Sequence, residues 1–343
     1  MRSTLILALL FAALSVVSAC AMNSGSPLVQ LTGATMGTSY AISYEPTAKA
    51  ADAKAVKQAV EATLARINHS MSVFDPASEI SLLNQAAEHQ AMVLSPELYR
   101  LLALSVKVHQ QTQGAFDISL GPLIEFWGFA TQKRDLAHKD RGQLEMVRTK
   151  VGLDGLTLDA TTTSATKTVS GLQLNPSAIA KGDGVDAIAQ TLKTLGINNA
   201  LVEIGGEIKA MGFPPHRAQW QVAITQPQAL NLKIQTLVPL TNQAMATSGN
   251  YANFFESNGQ RFSHIIDPRT GYPSQSPMVS VSVIHPSCAI ADAYATALML
   301  FQPKLALAFA SQHRLAISIT FHTPTGLKTV TNPEWPRVRA NIE

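Results

Sequence analysis

The sequence predicts an α+β fold, with largely antiparallel sheets and a few long helices. Two observations predict it. Short runs of β-favouring residues, bounded by Gly, Pro, Asn and Asp, come in groups. The few long segments with helical spacing interrupt those groups; they do not alternate with single strands as a parallel sheet would require. Composition agrees with a folded chain: 46% hydrophobic and 14% charged residues over 343 positions are enough for one large domain or two coupled lobes, and not the profile of a disordered chain. The net charge of +3 comes without any Lys/Arg-rich run, so there is no electrostatic footprint for nucleic acid.

The N-terminus reads as a processing signal. Met1-Arg2 is a short positive region, and residues 5–17 form an apolar run too short to span a membrane comfortably. The run ends in Val17-Ser18-Ala19-Cys20, which resembles a bacterial lipobox. This predicts a lipoprotein signal peptide over 1–19, with Cys20 as the acylated first residue of the mature chain. A flexible tether comes next over 20–28, then one domain over 29–343. An ordinary signal peptide cleaved near Ala19 or Ala21 is the alternative; the rarity of Cys favours the lipid. The expected location is the bacterial cell envelope, lipid-anchored and facing the periplasm, since a two- or three-chain anchor holds stably where one chain does not. With Cys20 acylated, Cys288 has no partner, so no internal disulfide is expected and Cys288 reads as a small core residue.

Along the domain, residues 29–44 alternate and predict a hairpin turning near Gly33 or Gly37. Val56, Val60, Leu64 and Ile67 have helical spacing within 48–70. Ser95-Pro96 predicts an N-cap and first helical residue, with the helix running to about Gln113 and stopping at Gly114. Residues 114–128 read as a dense loop, and 131–150 as a polar stretch with a short surface helix. Strands are expected at 157–159, 166–169 and 172–174, then a helix over 179–195 closed by Gly196. Further strands fall at 200–204, 220–225, 234–240, 244–247, 264–266 and 279–284. Helices over 288–301 and from Pro303 precede a last strand over 315–321.

The segment 288–301 is almost wholly apolar yet carries Asp292 and Thr296, one turn apart on one helical face. Burying a carboxylate there is costly unless something compensates, and a hard divalent cation such as Mg²⁺ does so with oxygen ligands. The plainer reading has Asp292 offsetting the helix dipole and Thr296 bonded back to a carbonyl. Lys181 follows Asn175-Pro176 near a helix start, where a cation and free N–H groups together hold phosphate oxygens; a solvated lysine is the alternative. No Walker A loop or Gly-x-Gly-x-x-Gly fingerprint is present.

Several segments in order carry a resemblance. They are Met36-Gly37-Thr38, Met71-Ser72-Val73-Phe74-Asp75 with Ser78-Glu79-Ile80-Ser81-Leu82-Leu83-Asn84, and Gly114-Ala115-Phe116-Asp117 with Gly121-Pro122-Leu123 to Trp127-Gly128-Phe129. Next in the chain are Ala178-Ile179-Ala180-Lys181-Gly182, Gly205-Gly206-Glu207, Thr247-Ser248-Gly249, His264 to Gly271, and Ala291-Asp292 with Thr296-Ala297-Leu298. Together they resemble the ApbE family of flavin transferases over nearly the whole mature chain. The resemblance implies an ApbE-like flavin transferase fold, FAD as substrate and Mg²⁺ as cofactor. It also implies movement of the FMN half onto a Thr or Ser hydroxyl of an acceptor protein, a membrane redox subunit, with release of AMP. By position, Met36, Phe74, Ala115, Phe116, Asp117, Asn175, Lys181 and Ile266 would contact FAD. Asp292, Thr296 and the Ala178 carbonyl would ligate Mg²⁺. Lys181 would add positive charge at the diphosphate, and His264 or Asp117 would take the hydroxyl proton, although His264 could equally brace the Asp267 turn. Phe74 and Phe116 would stack on a flavin or adenine ring, or else serve as core aromatics. Asn175, Asp183 and Ala295 depart from the family pattern. Two competing readings remain: an FAD pyrophosphatase giving FMN and AMP, and a non-catalytic FAD-binding lipoprotein.

Overall fold

Residues 28–48, 52–129, 141–215, 219–225, 234–250, 254–257 and 260–336 are described by a computed structural model. The expected signal peptide, Cys20 and all of the expected tether but Leu28 lie outside those residues.

The first hairpin forms from β1 (Val29–Thr35) and β2 (Thr38–Tyr44), and Thr35 pairs with Thr38, so the turn is Met36-Gly37 and not Gly33. α1 (Ala53–Met71), capped by Asp52, buries Val56, Val60, Leu64 and Ile67, the stripe expected from spacing. α2 (Glu79–Gln85), capped by Ser78, and β3 (Ala91–Val93) were not expected. α3 (Pro96–Gln111) starts at the predicted Ser95 cap, whose side chain accepts the Leu98 N–H. The expected loop at 114–128 contains a short helix, α4 (Gly121–Phe126), with Pro in its first turn. α5 (Arg141–Arg148) is the predicted surface helix.

β4 (Leu156–Asp159) and β5 (Ser164–Lys167) come after it, the second starting earlier than expected. Residues 172–174 are not a strand; only Gln173 bridges, to Leu120. Next come α6 (Ala180–Thr194), β6 (Ala200–Ile204), β7 (Glu207–Met211), β8 (Trp220–Thr225), β9 (Ile234–Leu240) and β10 (Ala244–Gly249). β11 (Phe254–Ser257) pairs with β12 (Gln260–Ser263). The strand expected at 264–266 is absent: β12 ends before it, and Ile266 makes a single bridge to Pro273. β13 (Met278–His285), α7 (Cys288–Leu298), α8 (Pro303–Gln312), β14 (Ala316–Thr323) and β15 (Gly326–Thr331) complete the described chain.

One eight-stranded sheet organises the molecule, in the order β1-β2-β6-β7-β10-β13-β14-β15, with every neighbouring pair antiparallel. Strand alternation sends Ala200, Val202 and Ala244 to the face covered by α1 and α6, and Leu201, Met245 and Ile284 to the face covered by the β8–β9 hairpin. β6 is buried at every position because both its faces are covered. A further core gathers α3, α7 and α8 over β13 and β14. α7 lies where the two helix-side cores meet, with Cys288 in one and Ala291 to Leu298 in the other. Cys288 is a buried free thiol, as expected of a core residue. No helix among the described residues is long and apolar enough to cross a membrane.

Candidate active site

A cleft of about 440 Å³ opens where α6, α7, β7 and β10 converge. Its floor comes from α7. Ser287 caps that helix by accepting the Ile290 N–H, which sets its start and so the rotation of everything after it. Asp292 and Thr296 then face the cleft together.

Asp292 is buried, and its partner is another helix. Its Oδ2 accepts the Gly182 N–H at 3.0 Å, in the first turn of α6. That geometry needs glycine: a Cβ at Gly182 would lie 2.5 Å from the Cys288 carbonyl oxygen. The two helix starts therefore touch backbone to backbone, and Asp292 sits against the positive end of α6. It is not offsetting its own helix dipole, since no acidic residue lies in the first turn of α7. The Thr296 hydroxyl reaches across to Ser248 on β10, 3.1 Å away.

Beside Gly182, Lys181 extends from α6 to Glu207 at the head of β7, Nζ to Oε1 2.7 Å. The Gly205-Gly206 turn, with φ of 55° and 100°, makes that placement possible, because both values lie in the left-handed region. The Gly206 N–H donates to Glu203 Oε1 at 2.7 Å and tightens the turn. Burial alone would lower the Lys181 ammonium pKa, but the Asp292 and Glu207 carboxylates outweigh it and hold that pKa raised. Burial pushes Glu207 up to about 8 against the pull of Lys181, with the Asp292 charge adding to the rise. Asp292 is raised for the same first cause, opposed by Lys181 and the Gly182 N–H. The second Glu207 oxygen, Oε2, is buried without a hydrogen-bond partner. Both carboxyl groups are raised because one ammonium cannot neutralise two buried carboxylates, so the cluster is short of positive charge unless it takes up a proton.

That shortage fits a divalent cation. Among the described residues no three His, Cys, Asp or Glu side chains gather as an all-protein cage. Asp292, Thr296 and Ala178, the residues expected to hold the metal, all line the cleft, together with Glu207 and Ser248. One carboxylate completed by substrate phosphates is the pattern Mg²⁺ favours over Ca²⁺.

Ala115, Asp117, Asn175 and Ala178 also line the cleft. Asn175 Oδ1 accepts the Ser177 N–H at 3.1 Å and hydroxyl at 2.5 Å, which folds residues 176–178 into a tight turn. Asn84 clamps that turn from behind: it donates to the Leu174 carbonyl at 2.9 Å and accepts the Leu174 N–H at 2.7 Å. The buried Lys167 donates to the Asn84 carbonyl at 2.6 Å. Asp117, expected as an alternative base, has both its oxygens engaged. Its Oδ1 accepts the Ser119 N–H and hydroxyl at 2.6 and 2.5 Å, its Oδ2 accepts the Leu153 N–H at 3.3 Å, and His109 Nδ1 lies 3.4 Å from Oδ2. Burial raises its pKa against the pull of Ser119 and His109. A carboxylate so engaged anchors the wall.

His264 lines the third side, just past β12, with Ile265 and Ile266. Of the residues expected at FAD, Ala115, Asp117, Asn175, Lys181 and Ile266 line the cleft. Met36, Phe74 and Phe116 do not. Phe116 points into the core, 1% exposed, so it is a packing residue and has no free face to stack on a ring. Phe74 stands 86% exposed at the α1–α2 connection. Met36 occupies the β1–β2 turn and packs toward Gly184 on α6. Glu207 and Ser248 were not singled out from sequence as site residues. The available signal for Glu207 was an acid directly after a Gly-Gly turn, at the start of a strand.

Comparison with known proteins adds independent findings. The family model of the ApbE family matches residues 36–321. The FAD:protein FMN transferase of Vibrio cholerae is 36% identical over 88% of this chain and 89% of its own length. That of Haemophilus influenzae is 33% identical over 95% of this chain and 96% of its own. Among solved structures, the flavin transferase ApbE from Vibrio cholerae superposes with a TM-score of 0.83 at 32% identity, covering 90% of this chain and 98% of that one. The apo flavinyl transferase ApbE of Pseudomonas stutzeri gives 0.81 at 31% identity, covering 90% and 95%.

Proposed function

The chain belongs to the ApbE family, and from that premise we propose that it is a Mg²⁺-dependent flavin transferase. It moves the FMN moiety of FAD onto a threonine or serine hydroxyl of an acceptor protein and releases AMP. The observation that carries this reading is the convergence of Lys181, Asp292, Thr296 and His264 on one cleft, beside an unpartnered Glu207 oxygen.

In this reading the acceptor oxygen attacks the phosphorus of the FMN half. A new P–O bond forms, the P–O bond to the AMP phosphate breaks, and the hydroxyl proton leaves to a base. A cation held by Asp292, Thr296 and the Ala178 carbonyl would neutralise the diphosphate and the charge developing on AMP. The chain's own work is positioning and electrostatics. Lys181 supplies a fixed positive charge, since its acidic neighbours Asp292 and Glu207 hold its pKa raised. Asn175 and the clamped turn behind it shape the wall that orients the dinucleotide. His264 takes the proton, its type being suited to a base near neutrality.

The test is incubation of the full chain with FAD, Mg²⁺ and a threonine-bearing redox subunit. A fluorescent flavin band that survives denaturing electrophoresis is expected. Free FMN and AMP with an unlabelled acceptor would identify a pyrophosphatase, and unchanged FAD a binding protein without turnover. We extend the reading to the envelope: an acylated Cys20 would confine the enzyme to the membrane face that carries its acceptor and raise their effective concentration.

A further inference from the structure

A second polar cluster ties together the same three elements that carry the cleft's charges, and it lies outside the cleft. Asp186 is on α6, beyond Lys181. Its Oδ1 meets the Lys209 ammonium on β7 at 2.6 Å. Its Oδ2 accepts the Ser287 hydroxyl at 2.7 Å and the Ala289 N–H at 3.2 Å, both at the start of α7. Lys209 also donates to the Pro286 carbonyl at 3.0 Å. Both oxygens of one largely buried carboxylate are thus committed to two other elements through charge-assisted bonds, the strong class of hydrogen bond.

Each of these three elements also carries a cleft residue close to its Asp186 contact. Lys209 is two residues after Glu207, on the same face of β7. Ala289 is one turn before Asp292 on α7. Lys181 precedes Asp186 on α6. None of Asp186, Lys209 and Ser287 lines the cleft. The contacts inside the cleft, Lys181 to Glu207 and Gly182 to Asp292, are the ones a bound cation and diphosphate would disturb.

We propose that Asp186, acting through Lys209 and Ser287, is a positioning residue. It fixes the spacing of Lys181, Glu207 and Asp292 so that the cleft binds a divalent cation with a diphosphate. This rests on the function proposed above. The bonds it makes orient groups that carry the ligands, and loss of such supports costs about 10- to 100-fold in metal affinity.

The experiment is a Mn²⁺ titration of the full chain, reading free Mn²⁺ by its EPR signal, with and without FAD, alongside thermal unfolding. Asp186→Asn and Lys209→Met should each bind Mn²⁺ about 10- to 100-fold more weakly at a temperature where both are folded. Asp186→Glu should recover part of the loss. The double variant should be no weaker than the worse single one, because Asp186 and Lys209 work as one bonded pair. If Asp186→Asn does not fold, Lys209→Met decides alone. A wild-type chain that binds Mn²⁺, with folded variants indistinguishable from it, would overturn the positioning role alone. A wild-type chain that binds no Mn²⁺ would overturn the cation site and the positioning role together.

Discussion

Asp292 shows how little a residue's identity says until its surroundings are known. On an apolar helix it is an anomaly; against the Gly182 N–H and near Lys181 it is a buried charge with defined partners. Replacing it by Ala should abolish metal-dependent turnover while circular dichroism reports a folded chain; full activity without added metal would refute the assignment. His264→Ala should lower the rate by roughly 10²- to 10⁴-fold if the imidazole is the base. A smaller loss would leave it a brace for the Asp267 turn. Asp183 offers a pH test. It is fully buried, its Oδ1 meets Arg100 at 2.6 Å and its Oδ2 has no partner. Burial raises its pKa from the ordinary 3.8, Arg100 opposes that, and Asp186 and Glu97 add to it. A raised carboxyl contributes stability below its unfolded pKa and loses it as pH rises through the folded one. The stability of wild type minus that of Asp183→Asn should therefore fall as pH rises above 3.8, measured by urea unfolding at a series of pH values. A difference that does not change with pH would show that Asp183 does not titrate as argued.

At the scale of elements, the site depends on where helices begin. α6 and α7 meet at their first turns, and glycine at 182 is what lets their backbones touch. Gly182→Ala places a methyl group against a carbonyl that cannot swing aside, so a loss of about 1–3 kcal/mol is expected from chemical denaturation. Activity should fall with it, because the same shift pulls the N–H from Asp292. Unchanged stability and rate would mean that the contact is looser than the geometry indicates. Elements with strong local signals were legible from sequence. The α1 stripe and the Ser95-Pro96 start of α3 arise from spacing and capping chemistry, which act within a few residues. α4 was missed because six residues with Gly and Pro at the start look like a loop without their packing partners. The strand expected at 264–266 failed for the converse reason: its residues favour strand, but the pairing it finds among the described residues is a single bridge, Ile266 to Pro273.

At the scale of the molecule, the eight-stranded sheet holds α6 and α7 on one face, and the cleft is what remains between their starts and the strand ends. The proposed anchoring also belongs to this scale. Cys20→Ala should move the protein from the membrane pellet to the soluble fraction of fractionated cells; retention in the pellet would rule out a lipid anchor at that residue. The ordered motifs identified the family, and Asp292, Thr296, Lys181 and His264, which line one cleft, were legible as candidates because chemistry-bearing side chains stand out in apolar or turn-rich surroundings. Glu207, the engagement of Asp117 and the burial of Phe116 were not legible. Each depends on which groups from distant parts of the chain lie within a few ångströms, as Leu153 does for Asp117 and Lys181 for Glu207. The sequence by itself determined the fold class, the family and the residue types available for chemistry, since these come from local pattern and from motif order. Tertiary structure alone decided which of those residues share a cleft and which carboxylates are left short of a partner, because burial and charge balance are set by neighbours that are remote along the chain.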